Sequence, residues 1–156
     1  MKILSVSENS TGALLGLKPG DRIEAIDGSR VRDIIDYRFK SSDENIVLRV
    51  RHKDRIKEYD IDKDYDDDLG LEFDDFRIRK CANDCIFCFV DQNPPGMRDA
   101  LYFRDGDFRL SFLHGHYITM TNMGWKELKR IVDQRLTPLY ISVHVTQPDK
   151  RLEMFL

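Results

Sequence analysis

The sequence predicts two domains of different fold class, an α+β domain followed by an α/β domain. Three observations support this division. Short runs of alternating apolar residues, separated by Gly, Pro and Asp turns, occupy positions 1–74 and are typical of a small sheet-rich domain. A strand–helix–strand pattern occupies positions 117–145. Between them lies an acidic run at 60–68, which we interpret as a solvated linker close to a domain boundary between residues 74 and 75.

The first domain is expected to contain short strands joined by tight turns. Pro19 and Gly20 predict one turn, because Pro presets φ and Gly accepts positive φ. Asp27 and Gly28 form a strong hairpin signal. We therefore expect strands at 2–6, 22–26, 46–51 and 55–61, the last two as a hairpin, and short helices at 13–17 and 33–39.

The second domain is expected to contain a βαβ unit. Residues 117–122 form a β-branched run typical of a core strand, and residues 125–136 carry an apolar stripe typical of a helix. Asn122 is the expected cap of that helix. Residues 139–145 predict a second buried strand, which should run parallel to the first after a right-handed crossover. Residues 108–112 fit either a helix or a strand.

Composition and charge exclude several classes of partner. The chain has 156 residues and a net charge of −3, so nothing draws it electrostatically to nucleic acid or to an anionic membrane. No apolar run reaches the roughly 18 residues of a transmembrane helix, and the start is too short and too polar for a signal peptide. Free thiols without a disulfide framework suit a reducing compartment. We therefore expect a cytoplasmic protein.

The three cysteines of the chain lie within eight residues, as Cys81, Cys85 and Cys88. Thiolates are soft ligands that favour iron–sulfur clusters, zinc or copper(I). On a cubane [4Fe–4S] cluster, three thiolates hold three irons and leave the fourth open to a substrate or cosubstrate. Zinc needs a fourth ligand, for which His114 or His116 is available. A disulfide leaves one cysteine over. Spacing alone leaves these alternatives open.

The C-x3-C-x2-C spacing, with Phe87 before the last cysteine, resembles the signature of the radical S-adenosylmethionine (radical SAM) enzymes. The resemblance implies that the three cysteines bind a [4Fe–4S] cluster whose open iron chelates S-adenosylmethionine. It implies reductive cleavage to methionine and a 5′-deoxyadenosyl radical, which abstracts hydrogen from an unknown small-molecule or protein substrate, with an external electron donor. By this resemblance Phe87 lies against the adenine side, and Thr121 and Asn122 stand near the segment that touches the methionine moiety.

Residues 85–98 resemble one bacterial group that joins an N-terminal PDZ domain, a radical SAM domain and a C-terminal domain of unknown function. In the family, the radical SAM domain is a partial (βα)6 barrel, and each βα unit takes on the order of 30 residues. Residues 75–156 therefore hold only the first units of such a barrel. We interpret the chain as the N-terminal part of a longer protein.

Residues 16–23 and 26–28 resemble the helix end, turn and strand of bacterial PDZ domains, which implies that residues 1–74 form a PDZ-like domain. Residues 69–73 are a candidate for the family's carboxylate-binding loop in a permuted order. The resemblance implies a peptide C-terminus as partner, bound at a sheet edge. The alternative is that the domain is only a structural cap packed on the catalytic domain, because the acidic run at 60–68 would repel the carboxylate of a peptide. The alternative function is thus a peptide-binding module with a structural zinc or cysteine site and no catalysis.

Further charged side chains are candidates near the cysteines. The strand predicted at 75–80 carries basic residues that would favour thiolates, Arg77, Arg79 and Lys80. Active residues of such barrels lie at the C-terminal ends of strands, here 119–123 and 144–146. Three histidines are candidate proton donors or ligands, with roles that the sequence does not assign: His114, His116 and His144.

Overall fold

A computed structural model describes residues 1–155 of the chain, which forms two compact units. The first unit is Met1–Phe76, and the second begins at Arg77. Among the helices of residues 1–155, none has both the length and the apolar character needed to cross a bilayer.

The first unit is rich in β-sheet. A four-stranded antiparallel sheet has the order β3-β2-β4-β5, and a second, two-stranded antiparallel sheet pairs β1 with β6. The strands are β1 Ile3–Val6, β2 Arg22–Ile26, β3 Ser29–Arg30, β4 Asn45–His52, β5 Arg55–Asp62 and β6 Leu71–Phe73. Two short helices complete the unit, α1 Thr11–Leu14 and α2 Ile34–Lys40.

Sequence patterning explains most of this unit. In β4 the buried positions alternate as Ile46, Leu48 and Val50, so one face of the strand enters the core. Both predicted hairpins, β2–β3 and β4–β5, are confirmed. Helix α1 begins earlier than predicted, at Thr11, because the Ser10 hydroxyl accepts a hydrogen bond from the backbone N–H of Ala13 and caps the helix.

The second unit contains the predicted βαβ arrangement. Strands β7 Tyr117–Ile118 and β8 Tyr140–Ile141 are parallel, and helix α4 Trp125–Asp133 lies between them in the chain. A 3-10 helix at Asp99–Tyr102, helix α3 Phe108–His114 and helix α5 Pro148–Phe155 complete the unit. No closed barrel occurs within residues 1–155, and their only parallel sheet is this pair.

Several expectations for the second unit are wrong in detail. The two strands have two residues each, and the strand predicted as buried is exposed, with Tyr140 at 40% and Ile141 at 45%, because β7 is its only neighbour among the described strands. Residues 75–80 form no strand, only an isolated bridge at Lys80. Residues 108–112 are helical, because the Asp107 carboxylate caps α3.

The cap of α4 also differs from the prediction. Asn122 does not cap the helix, because its side-chain amide donates instead to the Gly106 carbonyl, 2.8 Å away. The N-cap is Gly124, whose backbone N–H donates to the Glu127 carboxylate at 2.8 Å. Helix α4 thus begins with a side chain that reaches back from its own first turn.

Candidate functional site

The three cysteines line one cavity in the second unit, with a volume of about 300 Å³. We call it the cysteine cavity. Its walls also include Phe87 and Phe155, and it reaches the residues that follow β7 and β8. Cys81, Cys85 and Cys88 are half-buried free thiols. The sequence segment that carries them therefore presents all three sulfur side chains to the same space.

Cys81 is fixed by a backbone pairing outside the motif. Its N–H donates to the Arg104 carbonyl at 2.8 Å, and the Gly106 N–H donates to the Arg79 carbonyl at 3.0 Å. Gly106 lies so close that a Cβ there would stand 2.8 Å from the Cys81 Cα. Only glycine fits this approach without displacing the Cys81 backbone.

Cys85 and Cys88 lie on a turn. The Cys88 N–H donates to the Cys85 carbonyl at 3.0 Å, and the neighbouring Ile86 N–H donates to the Met154 carbonyl of α5 at 3.3 Å. Burial raises the pKa of the Cys85 thiol, and the negative charges of Cys81 and Cys88 raise it further.

The three cysteines line one cavity, but their side chains do not converge on a common metal position. Within residues 1–155, no group of three or more His, Cys, Asp or Glu side chains converges so as to hold a metal ion. A structural zinc needs four ligand atoms about 2.0–2.3 Å from a single centre. In a cubane cluster, each thiolate binds a different iron, so the sulfurs stand apart around a larger body. The described residues therefore place the three cysteines at one cavity and form no closed metal site.

The histidines proposed as a fourth zinc ligand lie elsewhere. His116 pairs through Nδ1 with the Asp105 carboxylate at 2.9 Å, and its ring lies 6.1 Å from that of His114. The histidine that does line the cysteine cavity is His144. Its ring centroid lies 4.5 Å from that of Phe87, and both rings pack on Phe155 of α5 at 5.5 Å.

The segment after β7 is tied to the cysteine segment by hydroxyl and amide groups. The Thr121 hydroxyl donates to the Asn83 side-chain oxygen at 2.9 Å, and the Asn83 amide donates to the Thr119 hydroxyl at 3.3 Å. Thr119 and Asn83 line the cysteine cavity. Thr121 and Asn122 do not line the cavity themselves. Thr121 contacts it through Asn83, and the Asn122 side chain donates to the Gly106 carbonyl. Cofactor contacts of Thr121 and Asn122 stay predictions.

Arg104 is the cation beside the cysteines, and the sequence did not single it out. Its guanidinium donates to the Asn83 carbonyl at 3.2 Å and pairs with the carboxylates of Asp84 and Asp91. This contact holds the pKa of the Asp91 carboxyl below its ordinary value. Arg104 stands 13 residues beyond Asp91, so no local pattern points to it.

The basic residues next to the motif, Arg79 and Lys80, contact groups other than the cysteines. The Arg79 guanidinium donates to the Asn122 carbonyl at 3.1 Å and to the Glu127 carboxylate at 3.0 Å. Lys80 lies over the Phe103 ring, 5.6 Å from its centroid. Of the cations near the motif, Arg104 is the one that lines the cysteine cavity.

The candidate peptide loop of the first unit has an internal acceptor. Gly70 has φ +69°, and its N–H donates to the Asp68 carboxylate at 3.0 Å. A carboxylate of the chain itself thus occupies one backbone donor that a peptide terminus would use in a PDZ domain. Peptide binding by residues 69–73 stays a prediction.

The fold and the site define an α/β unit with a three-cysteine cavity, preceded by a small sheet-rich unit. Comparison with protein families identifies both parts. A family model described as "Radical SAM-like domain" matches residues 63–156, more than half of the chain, so the chain belongs to this family. A second model, "PDZ domain", matches residues 2–52. Both resemblances seen in the sequence are thereby confirmed. A search of curated proteins found no match to the chain.

Proposed function

We propose that this chain is part of a radical SAM iron–sulfur enzyme, in which Cys81, Cys85 and Cys88 hold a [4Fe–4S] cluster and S-adenosylmethionine is the cosubstrate. One observation carries the proposal: in a chain of the Radical SAM-like family, all three cysteines line a single cavity. The donor set is the soft, anionic set that iron–sulfur clusters require. The cluster, when bound, supplies the electron for reductive cleavage of S-adenosylmethionine.

The residues around the cavity have distinct roles in this proposal. Cys81, Cys85 and Cys88 would hold the cluster through their thiolates, and the cluster would offer S-adenosylmethionine an iron without a protein ligand. Phe87 and His144 form an aromatic wall against which an adenine ring can stack. Asn83 and Thr119 present polar groups to the same cavity for the polar part of the cosubstrate. Apolar side chains, among them Val90 and Phe155, form much of the remaining wall.

The position of the cavity supports a barrel-type site. Thr119 directly follows β7, while Ser142 and His144 follow β8, and all three line the cavity. In parallel βα folds, active residues gather at the C-terminal ends of strands. We propose that β7, α4 and β8 belong to a partial (βα)6 barrel, with the cofactor at this end.

Metal loading under strictly anaerobic conditions tests the proposal. The chain is purified, treated with ferrous iron and sulfide, desalted, and analysed for iron, sulfide and zinc. We expect a brown protein with about four irons and four sulfides per chain. Cys81→Ser, Cys85→Ser and Cys88→Ser should each lower the iron content strongly. A colourless protein that binds one zinc and no iron contradicts the proposal and favours a structural metal site.

A further inference from the structure

We infer that Arg104 is a positioning residue for the cysteine segment, residues 81–91, and sets the charge at the cofactor cavity. This inference deepens the proposed function and rests on it for its redox part. The positioning part concerns the chain without any cofactor. Arg104 contacts residues near both ends of this segment.

The contacts of Arg104 bracket the cysteines. One nitrogen, Nη1, donates to the Asn83 carbonyl at 3.2 Å and to the Asp84 carboxylate at 3.4 Å. The other, Nη2, pairs with the Asp91 carboxylate. The Arg104 carbonyl accepts the Cys81 N–H at 2.8 Å. Two of the cysteines, at positions 85 and 88, therefore lie between points that a single guanidinium holds together.

The segment needs such a bridge because it has no regular structure of its own. Residues 81–91 contain turns and irregular backbone, so no helix or strand ladder fixes them. Ordering an irregular loop costs conformational entropy for every residue. A planar guanidinium offers several donors in a fixed fork, which suits it to join a carbonyl and two carboxylates at once. Lysine carries the charge but lacks the fork.

Arg104 also supplies a permanent positive charge at the cavity wall. Arginine stays protonated in proteins, and this one lines the cavity together with the three cysteines. A thiolate-bound cluster becomes more negative on reduction, and nearby positive charge favours that reduced state. Neutralising Arg104 should therefore make the reduction potential of the loaded protein more negative. Asp84 and Asp91 pair with Arg104 and moderate this effect, and the neutral variant leaves both carboxylates without their cation.

Hydrogen exchange on the metal-free chain tests the positioning part. The variants are Arg104→Gln, Arg104→Lys and Asp91→Asn, with Arg98→Gln as the control, since Arg98 is exposed and makes no capping hydrogen bond at the neighbouring 3-10 helix. In Arg104→Gln we expect amides of residues 82–91 to exchange about tenfold faster, the effect of losing one charge-assisted bridge.

Helix α3 serves as an internal reference, and its exchange should stay unchanged. Arg104→Lys and Asp91→Asn should give smaller increases, and Arg98→Gln none. Equal exchange of residues 82–91 in the parent chain and in Arg104→Gln overturns the inference. If Arg104→Gln does not fold, Arg104→Lys and Asp91→Asn decide it: their loop must exchange faster than in Arg98→Gln.

Anaerobic loading separates the two proposals. In the loaded parent chain and the Arg104→Lys variant, iron content should be similar, while Arg104→Gln should bind less iron and show a more negative potential by redox titration. If the parent chain binds no cluster but the loop still loosens in Arg104→Gln, the proposed function fails and the positioning role holds. If the parent loads and the loop is insensitive to Arg104, the positioning role fails alone.

Discussion

Asp107 is a buried carboxylate with several hydrogen-bond partners in the second unit, and its replacement by asparagine should destabilise that unit. Asp107 is only 1% exposed. It accepts hydrogen bonds from the Arg79 N–H at 2.9 Å and the Arg109 N–H at 3.1 Å, the latter as the cap of α3. Its carboxylate also pairs with the Arg109 guanidinium at 2.5 Å. Asparagine preserves the shape but removes the charge and one acceptor.

The size of the effect follows from burial. Removing one partner of a buried ion pair costs about 3–5 kcal/mol. The Arg109 side chain is 16% exposed, so water partly replaces the lost carboxylate, and we expect the lower end, about 3 kcal/mol. For a unit of this size that corresponds to a fall in Tm of about 12–24 °C.

Thermal unfolding of the metal-free chain, with hydrogen exchange of the α3 peptide to identify the unit, measures this prediction. Asp133→Asn is the matched control, because Asp133 forms an exposed i,i+4 pair with Lys129 and should cost no more than about 0.5 kcal/mol. If Asp107→Asn costs less than about 1 kcal/mol, comparable to the control, the carboxylate does not organise the start of α3 and the reasoning is refuted.

Three further predictions follow from close contacts and from charge. Gly106→Ala should force the Cys81 backbone aside, since the new Cβ would lie 2.8 Å from the Cys81 Cα; we expect a loss of about 1–3 kcal/mol and lower iron uptake. Gly70→Ala should destabilise the first unit similarly, because φ is +69° and the Cβ would lie 2.3 Å from Ser10 Cβ; urea unfolding measures it. The hydrogen bond from the Gly124 N–H is the main cause that lowers the pKa of the Glu127 carboxyl in the folded chain. Ionised Glu127 should therefore stabilise the second unit fully above the unfolded pKa of about 4.3, and this stabilisation should be lost as the pH falls through the folded pKa. Urea unfolding midpoints between pH 6 and pH 3 measure this loss.

Each of these predictions has a clear contradicting result. Wild-type iron uptake in Gly106→Ala would show that the Cys81 backbone position does not matter for loading. An unchanged urea midpoint in Gly70→Ala would show that the loop at residues 69–73 adapts freely. For the pH prediction, Glu127→Gln should flatten the acid limb of the stability curve. An identical acid limb in the parent and the variant contradicts the assignment.

Local patterns in the sequence predict part of this structure well. The β4–β5 hairpin is predictable because a short polar turn joins two strand-like runs. The alternation of β4 also gives its burial, whereas in β5 only Tyr59 and Ile61 are buried. The cysteine segment is recognisable for the same reason, since its three thiols lie within eight residues. The βαβ unit follows from its helical stripe and its apolar flanks.

Features that depend on distant residues escape the sequence. Nothing local shows that Arg104 reaches back to Asp91, or that Gly106 packs on Cys81, because both contacts follow from the pairing of residues 79–81 with 104–106. Strand β8 is shorter than its apolar sequence predicts. Strand propensity does not show which strands will pair, and among residues 1–155 only β7 lies beside β8. Local sequence favours Asn122 as the cap of α4, but the contact between the Gly124 N–H and the Glu127 carboxylate caps the helix.

Electron paramagnetic resonance of the reduced, iron-loaded chain, recorded with and without S-adenosylmethionine, tests the central claim most directly. If three thiolates leave one iron open to this cosubstrate, the cluster signal should appear on reduction and change when S-adenosylmethionine is added. It should be absent in the Cys85→Ser variant. A loaded protein with a signal that S-adenosylmethionine leaves untouched, or one that contains zinc and gives no signal, contradicts the account.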